Sequence, residues 1–278
     1  MSSEFLPIVG AIYVSFIYAL STHAYNPIVQ QYSWPTISIL RSGFALPLFI
    51  VWVFIDVELG AFFAVTWKSL SWLVLACFTT QGLADGLLLI SCRTIGVPTV
   101  LTIAAIYPLW TALITILFKL DPERRLVFHH WCGLIITFIG IAGIVYAKNG
   151  KQQKGGVAEG PAVKRTNFKL TGYLSAFAVS LLWAISTFAI TYGSQHLHNG
   201  VANSLRLGMA LLIAPWLALL SGTPKRQLLI PLKTVCSLWW ILLLGTTSFA
   251  VYISAMSHGP IVIISALSSL STDCFLFY

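Results

Sequence analysis

Charge is scarce in this sequence. Only 9% of its 278 residues are Asp, Glu, Lys or Arg, and just eight of them are acidic. Soluble domains carry about 25% charged residues, so this chain could not clothe a water-facing surface. No polar stretch is long enough to hold a soluble domain. Cysteine is sparse too. Cys77, Cys92, Cys132, Cys236 and Cys274 are scattered, with no C-x-x-C spacing, and read as buried free thiols. No H-E-x-x-H or H-x-x-E-H spacing and no Cys/His cluster occurs, so neither a metal nor a cofactor is expected. No G-x-S-x-G occurs either, and the polar residues form no evident catalytic dyad, so an enzyme is not expected. "KGGVAEGP" lacks the preceding strand and the Gly-Lys-Ser/Thr of a phosphate cradle. The sixteen basic residues outnumber the acidic ones. They lie mostly between apolar runs, where topology and headgroup contact explain them. With no basic face to lay along phosphates, nucleic acid is excluded as a partner.

What fills the chain is apolar: 58% of the sequence is hydrophobic and the mean hydropathy is +0.86. A bilayer-spanning helix needs about 20 apolar residues, which leaves room for roughly nine or ten spans. The runs are Phe5–Tyr25, Trp34–Ile55, Leu70–Cys92, Gly96–Phe118 and Leu126–Ala147, then Leu170–Gly193, Gly200–Ser221, Ser237–Ser257 and Pro260–Tyr278. The first lacks a basic leading segment and is long enough to span, so we read it as a retained helix. Between the fifth and sixth runs lies "KNGKQQKGGVAEGPAVKRTNFK", Lys148–Lys169, a hydrophilic linker.

The linker sits where an internal duplication would put it. Shifted by 165 positions, "YALSTHAYNPIVQQYSWPTISILRSGFAL" falls on "WAISTFAITYGSQHLHNGVANSLRLGMAL" without a gap. The matches include Ser21, Thr22, Gln30, Leu40, Arg41 and Gly43; Gln30 with Gln195 and Arg41 with Arg206 are not apolar coincidences. With the offset lengthened by two, Trp72, Thr79 and Thr80 meet Trp239, Thr246 and Thr247. Residues 1–147 thus read as a first copy, 148–169 as a linker and 170–278 as a second. A unit of five spans is odd, so tandem copies cross the membrane in opposite senses. That is the inverted-repeat plan of many secondary transporters, with the substrate site near the midplane between the copies. Tyr278 corresponds to about Ile114, so the second copy reads as truncated after four spans, giving about nine in all.

The residues resemble a known family, the EamA-type ten-helix permeases of the drug/metabolite transporter superfamily. The resemblance is carried by "LRSGFAL" at Leu40–Leu46 and its echo "LRLGMAL" at Leu205–Leu211. It continues through "PTVLTIAAIYPLWTALI" at Pro98–Ile114, and through "LDPERRL" and "HHWCGLIITFIGIAGI" with Glu123, Gly133, Gly140 and Gly143. The ninth run departs from the pattern, with Thr272 and Asp273 where the family has a proline. The resemblance implies an all-α membrane protein of two five-helix repeats. It also implies alternating-access transport of small polar metabolites such as amino acids, driven by protons or exchange, in the plasma (inner) membrane. The expected partners are a small-molecule substrate and the lipid bilayer, the protein acting as a monomer or homodimer. The alternative is a truncated, non-transporting remnant or regulatory partner of such a transporter.

Several residues are candidates for the substrate path. Arg41 lies seven residues past Trp34, about 10 Å along a helix in a hydrocarbon half-layer of about 15 Å. It is either an interfacial anchor that snorkels or, with Arg206, a cavity-facing fork for an anion. Asp85 lies about fifteen residues into the third run, near mid-membrane. Gly82 and Gly86 flank it as a G-x-x-x-G, predicting a close helix approach. It is either a structural partner, by a hydrogen bond or an ion pair with Arg41, or a protonatable carboxylate whose burial would suit proton coupling; its counterpart is Tyr252. Tyr107 and Trp110 bracket Pro108, which bends a helix where a cavity is lined; Trp183, counterpart of Tyr18, is a further aromatic candidate. His258 is a second proton-coupling candidate at the end of the eighth run, while His129 and His130 read as interfacial anchors.

Orientation stays open. With the N-terminus outside, the inner loops hold Arg93, the linker's Lys and Arg, Lys225, Arg226 and Lys233, against Lys68, Lys119, Arg124 and Arg125 outside. That distribution favours an external N-terminus, whereas the resemblance implies a cytoplasmic one.

Overall fold

A computed structural model describes residues 5–29, 32–57, 60–118, 166–220 and 230–273, together with Ile135 and Ile139. Among them there are helices and no strand. In lipid every backbone N–H and C=O must be satisfied within its own segment, and helices do that without a partner. The order is α1 (Phe5–Val29), α2 (Trp34–Asp56), α3 (Gly60–Phe63), α4 (Trp67–Cys77), a π-helical stretch (Phe78–Ala84), α5 (Asp85–Ile95), α6 (Val97–Ala104) and α7 (Tyr107–Phe118). The second half continues with α8 (Thr166–Ser194), α9 (Asn199–Leu220), α10 (Leu232–Ser237), α11 (Trp239–His258) and α12 (Ile261–Asp273). Six stretches are long and apolar enough to cross a membrane: Pro35–Asp56, Trp67–Cys92, Thr99–Phe118, Leu170–Ser194, Asn199–Leu220 and Trp239–His258. Phe5–Ser21 is a shorter apolar helix. The fifth run, with His129, His130 and Cys132, lies outside the described residues apart from Ile135 and Ile139. Most of the linker also lies outside them, and α8 already begins at Thr166, inside its predicted span.

The burial pattern inverts that of a soluble protein. Leu6, Ile55, Trp216 and Leu220 are largely exposed, whereas the buried positions are rich in Ala, Ser and Thr: Ala11, Ala76, Ala84, Ala104, Ser180, Thr187 and Ser265. Lipid is as apolar as leucine, so nothing drives large side chains inward, and small residues let helices pack closely.

Local chemistry accounts for the helix interruptions. Thr66 caps α4 by accepting from the Ser69 amide at 3.2 Å. Beyond α4 the π-helical stretch leaves the usual i−4 ladder. Thr79 donates to the Leu75 carbonyl at 2.8 Å and Thr80 to the Ala76 carbonyl at 2.7 Å, so hydroxyls take up main-chain acceptors there. Gly96, at φ 83°, makes the turn between α5 and α6 that a side chain would resist. The fourth span breaks at Ala105 and Ile106, and Pro108 sits in the first turn of α7, where its missing N–H does no harm.

One expectation fails. A Cβ at Gly86 would meet nothing within 4 Å, and at Gly82 it would meet only Phe78 of its own stretch. Among the described residues the predicted G-x-x-x-G contact is therefore absent. Glycines serve close approach elsewhere: Gly193 against Leu73, Gly10 against Val251, and Gly172 against Thr94 and Ile95.

Contacts between the two halves come in mated pairs. α1 packs on α11, and α8 packs on α4 and α5. α1 also packs on α12, and α8 on α6 and α7. α2 touches α11 as α9 touches α4. Two contacts lie at the centre of this exchange, α2 with α9 and α7 with α12.

Candidate functional site

The seam between the halves collects the ionisable and aromatic side chains. α2 and α9 are held together by Ala45, Phe49 and Leu207, all buried. Arg41 lies four and eight residues before Ala45 and Phe49, so it shares their inward face. Arg206 immediately precedes Leu207 and stands four and eight residues before Ala210 and Ala214, which are also buried. The helix faces thus aim both guanidinium groups at the interior. Arg206 is only 9% exposed.

A single ring receives both cations. The Phe249 centroid lies 5.3 Å from the Arg41 guanidinium carbon and 5.0 Å from that of Arg206, within cation–π range. Arg41 also stands 6.0 Å from the Tyr18 ring. Arg206 donates to Asn203 Oδ1 at 3.4 Å. The Asn203 amide nitrogen donates to the Asn199 carbonyl at 3.1 Å and to the Phe249 carbonyl at 3.4 Å, which turns its oxygen toward the arginine. Arg206 Nε is buried and, among the described residues, has no hydrogen-bond acceptor.

Asp85 opens α5, immediately after the π-helical stretch. It lies within electrostatic reach of Tyr18 and Cys77, as Arg206 does of Arg41, Cys77 and Tyr252. Tyr252 shares a hydrogen bond with Thr187. Tyr107 is buried and donates to the Ser265 carbonyl at 2.7 Å. Its ring meets Trp183 edge-on at 5.9 Å, and it lies within electrostatic reach of Tyr18 and Tyr252. The structure therefore brings Arg41, Asp85, Tyr107, Trp183, Arg206 and Tyr252 into one neighbourhood. Trp110 is set to one side, donating to Ser180 at 3.1 Å and packed edge-on against Phe177 at 5.1 Å. His258 is exposed at the end of α11, its ring donating to the Ser254 carbonyl at 2.9 Å.

Phe249 and Asn203 were not singled out from the sequence, although each carried a signal. Asn203 stands three residues before Arg206, and Phe249 three before Tyr252, the helical spacing that puts neighbours on one face. Chemically the cluster offers guanidinium and phenol donors, one carboxylate that can take or release a proton, and aromatic walls. Among the described residues no three His, Cys, Asp or Glu stand together as a metal site would require.

Comparison with known proteins agrees with this architecture. A family model described as the EamA-like transporter family matches residues 5–146, just over half of the chain. No curated protein matches. A solved structure described only as "Crystal structure of protein" is similar over 98% of this chain and 88% of its own, with a TM-score of 0.72 and 16% identity. At that identity the likeness shows the fold alone.

Proposed function

The chain belongs to the EamA-like transporter family, a multi-pass membrane protein, and on that premise we propose that it is a secondary transporter of small polar metabolites such as amino acids. The observation that carries the proposal is the polar cluster at the seam of the two halves. A cation in a span costs about 2.5–3.5 kcal/mol on insertion scales, and buried Arg206 stands with half-buried Arg41 within cation–π range of one ring. The mated contacts between the halves support an inverted pair of repeats rocking about that seam, so that the cluster opens to each side in turn. The plasma (inner) membrane is the location in this reading.

Asp85 is the group to which we assign proton coupling. A carboxylate within reach of Tyr18 and Cys77 is neutralised when protonated, and that changes its affinity for the Tyr18–Arg41 side of the cluster. His258, at the helix end and bonded to its own helix, takes no part in this step.

The test is uptake by the purified full chain in liposomes, with labelled amino acids and nucleosides and an imposed pH gradient. Gradient-driven accumulation should appear with the wild type and be lost in Asp85→Asn, which keeps shape but cannot release a proton. Accumulation no greater than in protein-free liposomes across the panel would refute the transporter reading. Gradient dependence surviving in Asp85→Asn would refute the coupling role.

A further inference from the structure

The geometry points to an anion-binding site at Arg206, lined by Arg41, Phe249 and Asn203, that takes the carboxylate or phosphate group of a small organic solute. The inference rests on the transporter reading and names the chemical class of its substrate. Two guanidinium groups stand at this seam with one carboxylate, Asp85, in the neighbourhood. In their ordinary charge states the three sum to a single surplus positive charge.

That surplus belongs to Arg206. Its side chain is nine-tenths buried, and among the described residues it donates to the neutral Asn203 at 3.4 Å while its Nε has no acceptor. A buried donor without a partner is costly, and a buried charge without one more so. Two more buried hydroxyls on the helices of this cluster, Ser21 on α1 and Ser204 on α9, also lack a partner among the described residues. A guanidinium's planar fork matches the two oxygens of a carboxylate or phosphate. The Phe249 ring, near both cations, and the Tyr18 ring, near Arg41, supply aromatic walls for the organic body. Asn203, locked by two main-chain acceptors, cannot turn away to relieve the arginine.

The experiment is thermal unfolding of the detergent-purified full chain with sodium benzoate, neutral benzamide, sodium phosphate or sodium chloride at matched ionic strength. Benzoate or phosphate should raise the melting temperature above the chloride value, benzamide should not, and the two anions separate the carboxylate from the phosphate arm. Arg206→Gln should weaken the apparent anion affinity by roughly thirtyfold or more, with Arg206→Lys intermediate. Should Arg206→Gln fail to fold, Asn203→Asp places a carboxylate beside the arginine. It should melt higher than wild type without ligand and lose the response to anions. The inference is overturned if neither anion exceeds chloride, if benzamide matches benzoate, or if Asn203→Asp responds like wild type. A neutral solute that crosses liposomes while anions neither bind nor compete sinks this inference and leaves the transporter reading standing. Arg206-dependent anion binding with no solute crossing does the reverse.

Discussion

Gly193 is where one added carbon should be felt. α8 crosses α4 there, and a Cβ at this position would sit 2.9 Å from both Cγ and Cδ2 of Leu73 and 3.1 Å from the Leu73 amide nitrogen. Leu73 has no exposed surface, so its side chain has nowhere to swing. The amide is helix backbone and moves only with α4. Carbon pairs settle at about 3.5–4.0 Å, so Gly193→Ala obliges the two helices to separate by several tenths of an ångström. Overpacking of this kind costs about 1–3 kcal/mol, and the better helix propensity of alanine offsets about 1 kcal/mol of that. Gly208→Ala on α9 supplies the control, because a Cβ there would meet nothing within 4 Å and only the propensity gain remains. In the difference between the two variants propensity cancels, so Gly193→Ala should be less stable than Gly208→Ala by about 1–3 kcal/mol. Reversible unfolding in mixed micelles reads that difference. In a Leu73→Ala background the penalty at 193 should shrink, since two of the three close atoms are gone. Equal stability of Gly193→Ala and Gly208→Ala would refute the reasoning, as would a penalty unchanged by Leu73→Ala.

Other outcomes follow from single contacts. Tyr107→Phe removes the donor to the Ser265 carbonyl and should lower stability by about 0.5–1.5 kcal/mol, measured by the same unfolding. Asp56→Asn breaks the 3.0 Å contact with His198, whose side chains are 55% and 28% exposed. Pairs this wet contribute about 0–1 kcal/mol, so the melting temperature should barely move, and a large loss would contradict the assignment. Exposed Cys236 should react with a maleimide in the folded protein while buried Cys77 does not; mass spectrometry of the labelled peptides distinguishes them.

Much of the fold was legible because the bilayer simplifies the problem. Every apolar run that falls on described residues became helix, since lipid leaves the backbone no other local solution. Pro108 announced the break between α6 and α7, because a missing N–H is visible in the letters. The π-helical stretch was not legible: Thr79, Thr80, Gly82 and Asp85 look like ordinary helix, and only the helices packed around them decide the register. At the site, the depth of Arg41 left an anchor and a cavity-facing cation open. Its face is that of Ala45 and Phe49, whose burial against Leu207 is a tertiary fact. Asn203 was missed because a lone amide beside an arginine is unremarkable until its oxygen is seen to face the guanidinium.

A duplication, as read from the sequence, would account for the two arginines but not for what they meet. The offset that pairs Trp72 with Trp239 also pairs Gly82 with Phe249 and Asp85 with Tyr252. The third span of one half therefore brings a glycine, a carboxylate and a π-helical turn to the seam. The third span of the other brings an aromatic ring and a phenol along the regular helix α11. Symmetric cations thus face asymmetric partners. Had both copies kept the carboxylate, the cluster would be neutral and a solute would find every donor occupied. Had neither kept it, two bare cations would share one ring, at a desolvation cost that insertion into lipid opposes. One carboxylate for two guanidiniums leaves a single positive charge, buried on Arg206 at the place where the two halves meet. In the anion-site reading proposed above, that is the charge a small solute would neutralise on entering and restore on leaving, and in the transporter reading its binding energy would be tied to the seam between the halves.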